Sequence, residues 1–185
     1  MTIEESTLKG LCILTPDLKR DDRGAFMEVF RMDELEKAGI CPQFVQMNHS
    51  TSKKNVLRGL HFQWEKPLGK FIRVLHGTAF MAAIDIRRSS VTLGTWLGIE
   101  ISAEHHKALW VPPGFATGFC TIGDEVQVEY CYTALYNPHA ESTICWNDPK
   151  VGIRWPILHP ILSPRDSAAG TFDDWMAKSE STLFP

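Results

Sequence analysis

Apolar residues fall in short runs separated by turn signals. Residues 11–15 (Leu-Cys-Ile-Leu-Thr) form one run, closed by Pro16. Residues 25–30, 44–48, 70–74, 78–86, 92–101 and 108–111 follow the same pattern. The run at 115–122 reads as a strand, Gly123-Asp124 as a turn, and 125–132 as a strand. In that last strand Val126, Val128 and Tyr130 share a face. The charged segment 19–24 and the polar run 49–55 read as connections. Helical spacing occurs at 32–38, with Asp33 as a cap and Gly39 as a stop, and again near 173–179. From Asn147 onward, Pro156, Pro160 and Pro164 argue against regular strands. Short strands with turn signals every 8–12 residues, roughly, predict an all-β sandwich or barrel with short peripheral helices. Residues 1–185 read as one domain without internal repeats, 167–185 being a C-terminal tail.

Chemistry concentrates at residues 56–77, where two strand-like runs flank a polar turn. Arg58, His61, Gln63 and Lys70 lie at or between these runs. Alternation puts Gln63 on the face of His61 and Arg58 out of phase with it. Antiparallel pairing of the two runs would return Lys70 to the neighbourhood of His61. A base beside a fixed cation suits removal of a proton next to a carbonyl. A lone histidine on an apolar strand is usually a core residue, but two cations and an imidazole are costly to bury without a ligand or carboxylate. Metal-binding barrels commonly use His-x-His, whereas here Gln63 stands two residues after His61. His105 and His106 are adjacent and would face opposite sides of a strand. No metal site is therefore expected. Residues 21–23 read as a solvated turn, and Asp166 by default as an exposed turn residue.

Composition narrows the partners. The net charge of −3 gives no reason to expect nucleic-acid binding. No apolar run approaches the length of a membrane span. The five cysteines (12, 41, 120, 131 and 145) form no C-x-x-C pair, and the N-terminus lacks a signal-peptide pattern. Reduced thiols in a cytoplasm are expected.

Six segments then stand in order: Asp22-Arg-Gly-Ala-Phe26, Gln46-Met-Asn-His-Ser50, Leu57-Arg-Gly-Leu-His61, Pro112-Pro-Gly-Phe-Ala116, Trp146-Asn-Asp-Pro149 and Leu162-Ser-Pro-Arg-Asp166. Together they resemble the dTDP-4-dehydrorhamnose 3,5-epimerases from about residue 8 to 166. The resemblance implies a metal-free cupin, a jelly-roll β-sandwich that dimerises by exchanging N-terminal strands. It implies a nucleotide-diphosphate sugar as substrate and no cofactor. By resemblance His61 is the general base, Asp166 its paired carboxylate, Lys70 the cation at the C4 enolate and Tyr130 the general acid. Arg23, Glu28, Gln46, Asn48, Arg58, Thr117, Tyr136, Glu141 and Arg165 match substrate-binding positions. Of these, Arg23 and Arg58 suit diphosphate oxygens and Tyr136 the thymine ring. With strand exchange, Arg23 and Glu28 reach the neighbouring subunit's site.

The chain departs from the family pattern at three positions. Thr117 replaces a histidine, Arg165 replaces a lysine, and Met81 stands where an aspartate is common. An enzyme inverting C3 or C5 alone and a non-catalytic sugar-binding cupin remain as alternative readings.

Overall fold

The structure, a computed structural model, describes residues 1–40 and 42–184. Cys41 lies outside them. In chain order the strands are β1 (Thr2–Glu5), β2 (Cys12–Thr15), β3 (Leu18–Asp21), β4 (Gly24–Met27), β5 (Gln46–Lys53) and β6 (Leu57–Gln63). They continue with β7 (Lys70–Asp85), β8 (Trp96–Ser102), β9 (Ala108–Val111), β10 (Phe115–Tyr132) and β11 (Glu141–Thr143). Short helices α1 (Met32–Lys37), α2 (Pro164–Ser167) and α3 (Phe172–Met176) sit at the periphery. No helix among the described residues is long and apolar enough to cross a membrane.

The two longest strands organise the rest. β7 and β10 pair antiparallel from Phe115↔Asp85 to Tyr132↔Lys70. The first part of β7 also pairs with β9 (Lys70↔Val111) and its second part with β8 (Thr78↔Ser102). β10 likewise pairs with β6 through residues 117–120 and with β5 through 125–132. Each long strand thus belongs to both layers of a cupin jelly roll. The crossover falls at Gly77, where φ is +70°. A Cβ there would lie 2.1 Å from the Glu125 carbonyl oxygen, so only glycine lets the strands touch at the bend. β10 shifts register opposite this point, between Ile122 and Gln127.

Several local expectations change. Gly123-Asp124 is an irregularity inside a continuous β10 rather than a turn, because β7 keeps pairing on both sides of it. Residues 19–24 belong to a separate β3–β4 hairpin. Asp33 does not cap α1. Arg31 occupies that position, and its guanidinium holds the Asp33 carboxylate at 2.7 Å. The polar run after Asn48 is largely strand: β5 continues to Lys53. β5 alternates in exposure, with Asn48, Ser50 and Ser52 turned inward and Met47, His49 and Thr51 outward. β6 and β7 do not pair with each other. β10 lies between them, since 57–63 and 70–74 sit in different layers.

Two cores form on opposite faces of the long strands. Between the layers lie Ile72, Val74, Met81, Leu109, Phe119, Val126 and Val128. On the other face, Phe62, Ile84 and Ala116 meet Phe172, Trp175 and Phe184 from the tail. The Phe62 and Trp175 rings meet edge to face at 4.5 Å. Asp148 is buried and accepts backbone N–H groups of Lys150, Val151 and Phe172, which pins the start of α3. The tail therefore serves as a wall of the second core. Trp175→Ala should lower unfolding free energy by about 3 kcal/mol in urea titrations. A loss below roughly 0.5 kcal/mol, the scale of a surface change, would show that the tail is not core.

Candidate active site

The inner face of the sandwich opens into a cavity of about 300 Å³. β10 sets its geometry. Thr117 of β10 stands opposite His61 of β6 and Ala83 of β7. Further along, Tyr130 stands opposite Asn48 of β5 and Ile72 of β7. A Cβ at Gly118 would come 2.7 Å from the Arg58 carbonyl oxygen, so glycine permits the close approach of β6 that fixes His61. Gln46, Asn48, Arg58, His61, Lys70, Thr117, Tyr130, Tyr136, Glu141 and Arg165 all line the cavity. Met81 contributes a buried apolar wall.

Asp166 is buried behind His61, contrary to its default reading as an exposed turn residue. Ser163 caps α2 by accepting the Asp166 backbone N–H at 3.1 Å, and Pro164 opens the helix. This aims the Asp166 carboxylate at His61 Nε2, 2.6 Å away. Burial opposes the Asp166 charge. Hydrogen bonds from His61 and Ser163 and the nearby positive charge outweigh it, so the carboxyl titrates below its usual value. Arg165 also lies 3.1 Å from Nε2. One ring nitrogen cannot both donate and accept, and the carboxylate is the stronger claimant for its proton. Arg165 is held instead by Glu141. Nδ1 of His61 is then the nitrogen left to take a proton.

Lys70 is buried. Its ammonium donates to the His61 carbonyl at 2.9 Å and to Thr117 Oγ1 at 2.6 Å, leaving a third N–H for the cavity. Burial pulls its pKa down to about 8, with Glu141 opposing that shift and Arg165 reinforcing it. Lys70 does approach His61, but through the interior of the sandwich rather than across a β6–β7 pairing.

Tyr130 donates its hydroxyl to Ser50 Oγ at 2.6 Å and stacks on Tyr132 at 6.0 Å. Burial raises the Tyr130 pKa, against the Ser50 hydrogen bond and the charge of Arg58. Tyr136 is exposed at the rim. Its hydroxyl donates to Glu141 at 2.7 Å, and its backbone N–H to Gln46 Oε1 at 2.8 Å. The Gln46 amide donates in turn to Asn48 at 2.9 Å. Arg58 is oriented by Ser52 at 2.8 Å. The Gln63 side chain is occupied with the carbonyls of Lys66 and Leu135 and the backbone N–H of Asn137. Among the described residues no cluster of three or more His, Cys, Asp or Glu is placed to hold a metal.

Arg23 and Glu28 are not brought to this cavity within the chain. Arg23 pairs with Asp21 on the exposed β3–β4 hairpin, and Glu28 lies 3.9 Å from Arg31. Ser50 and Tyr132 are site residues that the sequence reading did not single out. Two-residue periodicity carried a signal for both, since Tyr132 follows Tyr130 by two and Ser50 follows Asn48 by two.

Residues 5–174 match the protein family described as dTDP-4-dehydrorhamnose 3,5-epimerase. A dTDP-4-dehydrorhamnose 3,5-epimerase of Neisseria gonorrhoeae is 46% identical, covering 100% of this chain and 56% of its own length. The chain thus spans a little over half of that relative. The Salmonella typhimurium enzyme of the same name is 43% identical over 94% of this chain and 96% of its own. Among solved structures, a dTDP-6-deoxy-D-glucose-3,5-epimerase from Legionella pneumophila, in complex with dTDP-4-keto-L-rhamnose, superposes with a TM-score of 0.92. It is 38% identical and covers 100% of this chain and 97% of that one.

The buried Lys70 charge has a measurable signature. Between pH 8 and 10.5 the unfolded chain keeps the Lys70 proton and the folded chain has lost it. Folding stability attributable to Lys70 therefore rises with pH in that window. Relative to Lys70→Met, the native chain should gain stability with a slope approaching about 1.4 kcal/mol per pH unit. Urea denaturation of both proteins from pH 7 to 10 measures this, and parallel curves would contradict the assignment.

Proposed function

The chain belongs to the dTDP-4-dehydrorhamnose 3,5-epimerase family, and on that premise we propose that it inverts C3 and C5 of dTDP-4-dehydro-6-deoxy-D-glucose to give dTDP-4-dehydro-L-rhamnose. The observation that carries the reading is a His–carboxylate pair, a buried ammonium and a half-buried tyrosine hydroxyl opening on one cavity.

Both carbons flank the C4 ketone, which makes their protons acidic. His61 takes the C3 proton on Nδ1, and the C–H electron pair moves onto the C4 oxygen. Asp166 stabilises the imidazolium that results. Lys70 donates to the enolate oxygen, where a fixed cation in a dry site lowers the barrier most. Tyr130 returns a proton to the opposite face of C3, and the electron pair goes back to carbon. Exchange with solvent resets both groups, and C5 follows by the same steps. The ketone serves as the electron sink, so the scheme requires no cofactor.

Arg58 and Arg165 offer forked donors near the cavity, and Arg58 suits the diphosphate. Tyr136 at the rim suits stacking on thymine, with Gln46, Asn48 and Glu141 forming hydrogen bonds around it. Arg23 and Glu28 would complete a neighbouring subunit's site in a homodimer. The exposed Phe26, Val45 and Met47 support such an interface. The free Cys12, Cys120, Cys131 and Cys145 fit a reducing cytoplasm.

His61→Asn should abolish deuterium uptake from solvent into the sugar, and retained uptake at the native rate would remove His61 as the base. Tyr130→Phe should behave differently. His61 can still return a proton to the face it came from, so exchange should persist while inversion falls by about a hundredfold or more. Loss of exchange and inversion in equal measure would contradict the division of roles. For the native protein, kcat/KM should decline above about pH 8 as Lys70 loses its proton. A profile flat to pH 9.5 or so would contradict a cationic role for Lys70. Light scattering at micromolar concentration should give the mass of two chains, and a monomer mass would contradict the shared site.

A further inference from the structure

Thr117 occupies a position that its neighbours make unusual. It is buried on the one strand that pairs with both β6 and β7, opposite His61 on one side and Ala83 on the other. Its Oγ1 lies 2.6 Å from Lys70 Nζ and 3.5 Å from the His61 carbonyl. An ammonium offers only donors, so the threonine oxygen must accept from Lys70. The hydroxyl hydrogen is then directed at the His61 carbonyl, which accepts from Lys70 as well. Three groups close into one small hydrogen-bonded ring.

We propose that Thr117 is a positioning residue, whose hydroxyl locks the Lys70 ammonium to the backbone of His61 and aims its remaining N–H into the cavity. The base and the cation sit on strands that do not pair, and the Thr117 hydroxyl braces the one direct bond between them, from Lys70 to the His61 carbonyl. Packing alone would not need it, because valine has nearly the same shape.

The surroundings of Lys70 show why one hydroxyl matters. The side chains facing it are His61 from β6, Tyr130 and Tyr132 from β10, and Tyr136 and Glu141 from the β11 side. Arg165 faces it from α2, while its neighbour Asp166 is engaged with His61. Glu141 is the remaining anion, and it is shared with Arg165 and Tyr136. The two oxygens that hold Lys70 directly are the His61 carbonyl and the Thr117 hydroxyl. Removing one of two acceptors from a buried ammonium weakens proton binding substantially.

The arrangement can be tested without substrate. Protein carrying 13C at lysine Cε would be titrated by NMR, with the Lys70 signal assigned by its absence in Lys70→Met. Thr117→Val should bind the Lys70 proton about tenfold more weakly, moving the midpoint down by about one pH unit. Thr117→Ser, which keeps the hydroxyl, should titrate within roughly 0.3 pH units of the native protein. Equal midpoints for the valine and native proteins would overturn the proposal. So would a serine variant that shifts as far as valine.

The consequence for turnover rests on the epimerase reading. The alkaline fall in kcat/KM should move to lower pH in Thr117→Val and stay in place in Thr117→Ser. A fall that stays in place in Thr117→Val would overturn the proposal. A native protein inactive on the dTDP sugar would instead contradict the epimerase reading, while the lysine titration would still decide the role of Thr117.

Discussion

The antiparallel pairing of β7 with β10 fixes Lys70, Thr117 and Tyr130 in register and sets where β6 delivers His61. Lys70 begins β7 opposite Tyr132, which ends β10. Tyr130 lies two residues earlier on the same strand, and Thr117 lies beyond the bend, opposite His61. The bend depends on Gly77, where a side chain has no room. It folds one pair of strands into two layers, so that residues far apart along β10 face a common cavity. The tail packs on the opposite face of this pair and leaves the cavity side free.

Within that frame the chemistry comes from opposed electrostatic tendencies. Burial disfavours charge on both Asp166 and Lys70. Asp166 has a full set of compensating partners, so it stays ionised and can support an imidazolium. Lys70 has fewer, so its proton is held more loosely than that of an exposed lysine. A cation near its titration point, with one N–H unengaged, is well matched to an enolate that forms and disappears. Tyr130 differs again. Burial raises its pKa, so the hydroxyl holds its proton further into the alkaline range, in the state an acid requires.

The all-β sandwich was legible because its apolar strands alternate with turn residues. The helix at Met32–Lys37 is legible as well, although the pattern favours Asp33 as its cap and Arg31 takes that position. The apolar pattern ends at Asn48 while β5 continues to Lys53, because its inward face carries Asn48, Ser50 and Ser52 where it walls a polar cavity. Period-2 alternation persists there without hydrophobicity to mark it. Gly123-Asp124 looked like a turn because a bulge and a turn use the same residues, and only the partner strand distinguishes them. Residue chemistry alone led to His61 and Lys70. Asp166 is 105 positions from His61, and nothing local to it announces burial. The family resemblance supplied that pairing, and the capped start of α2 explains it.

The central claim is that one base, one acid and one cation serve both carbons beside the ketone. Proton NMR of the native protein with dTDP-4-dehydro-6-deoxyglucose in deuterated water tests it most directly. The account predicts loss of the C3 and C5 proton signals together with appearance of the L-rhamno configuration. Exchange confined to one carbon, or to neither, would contradict it.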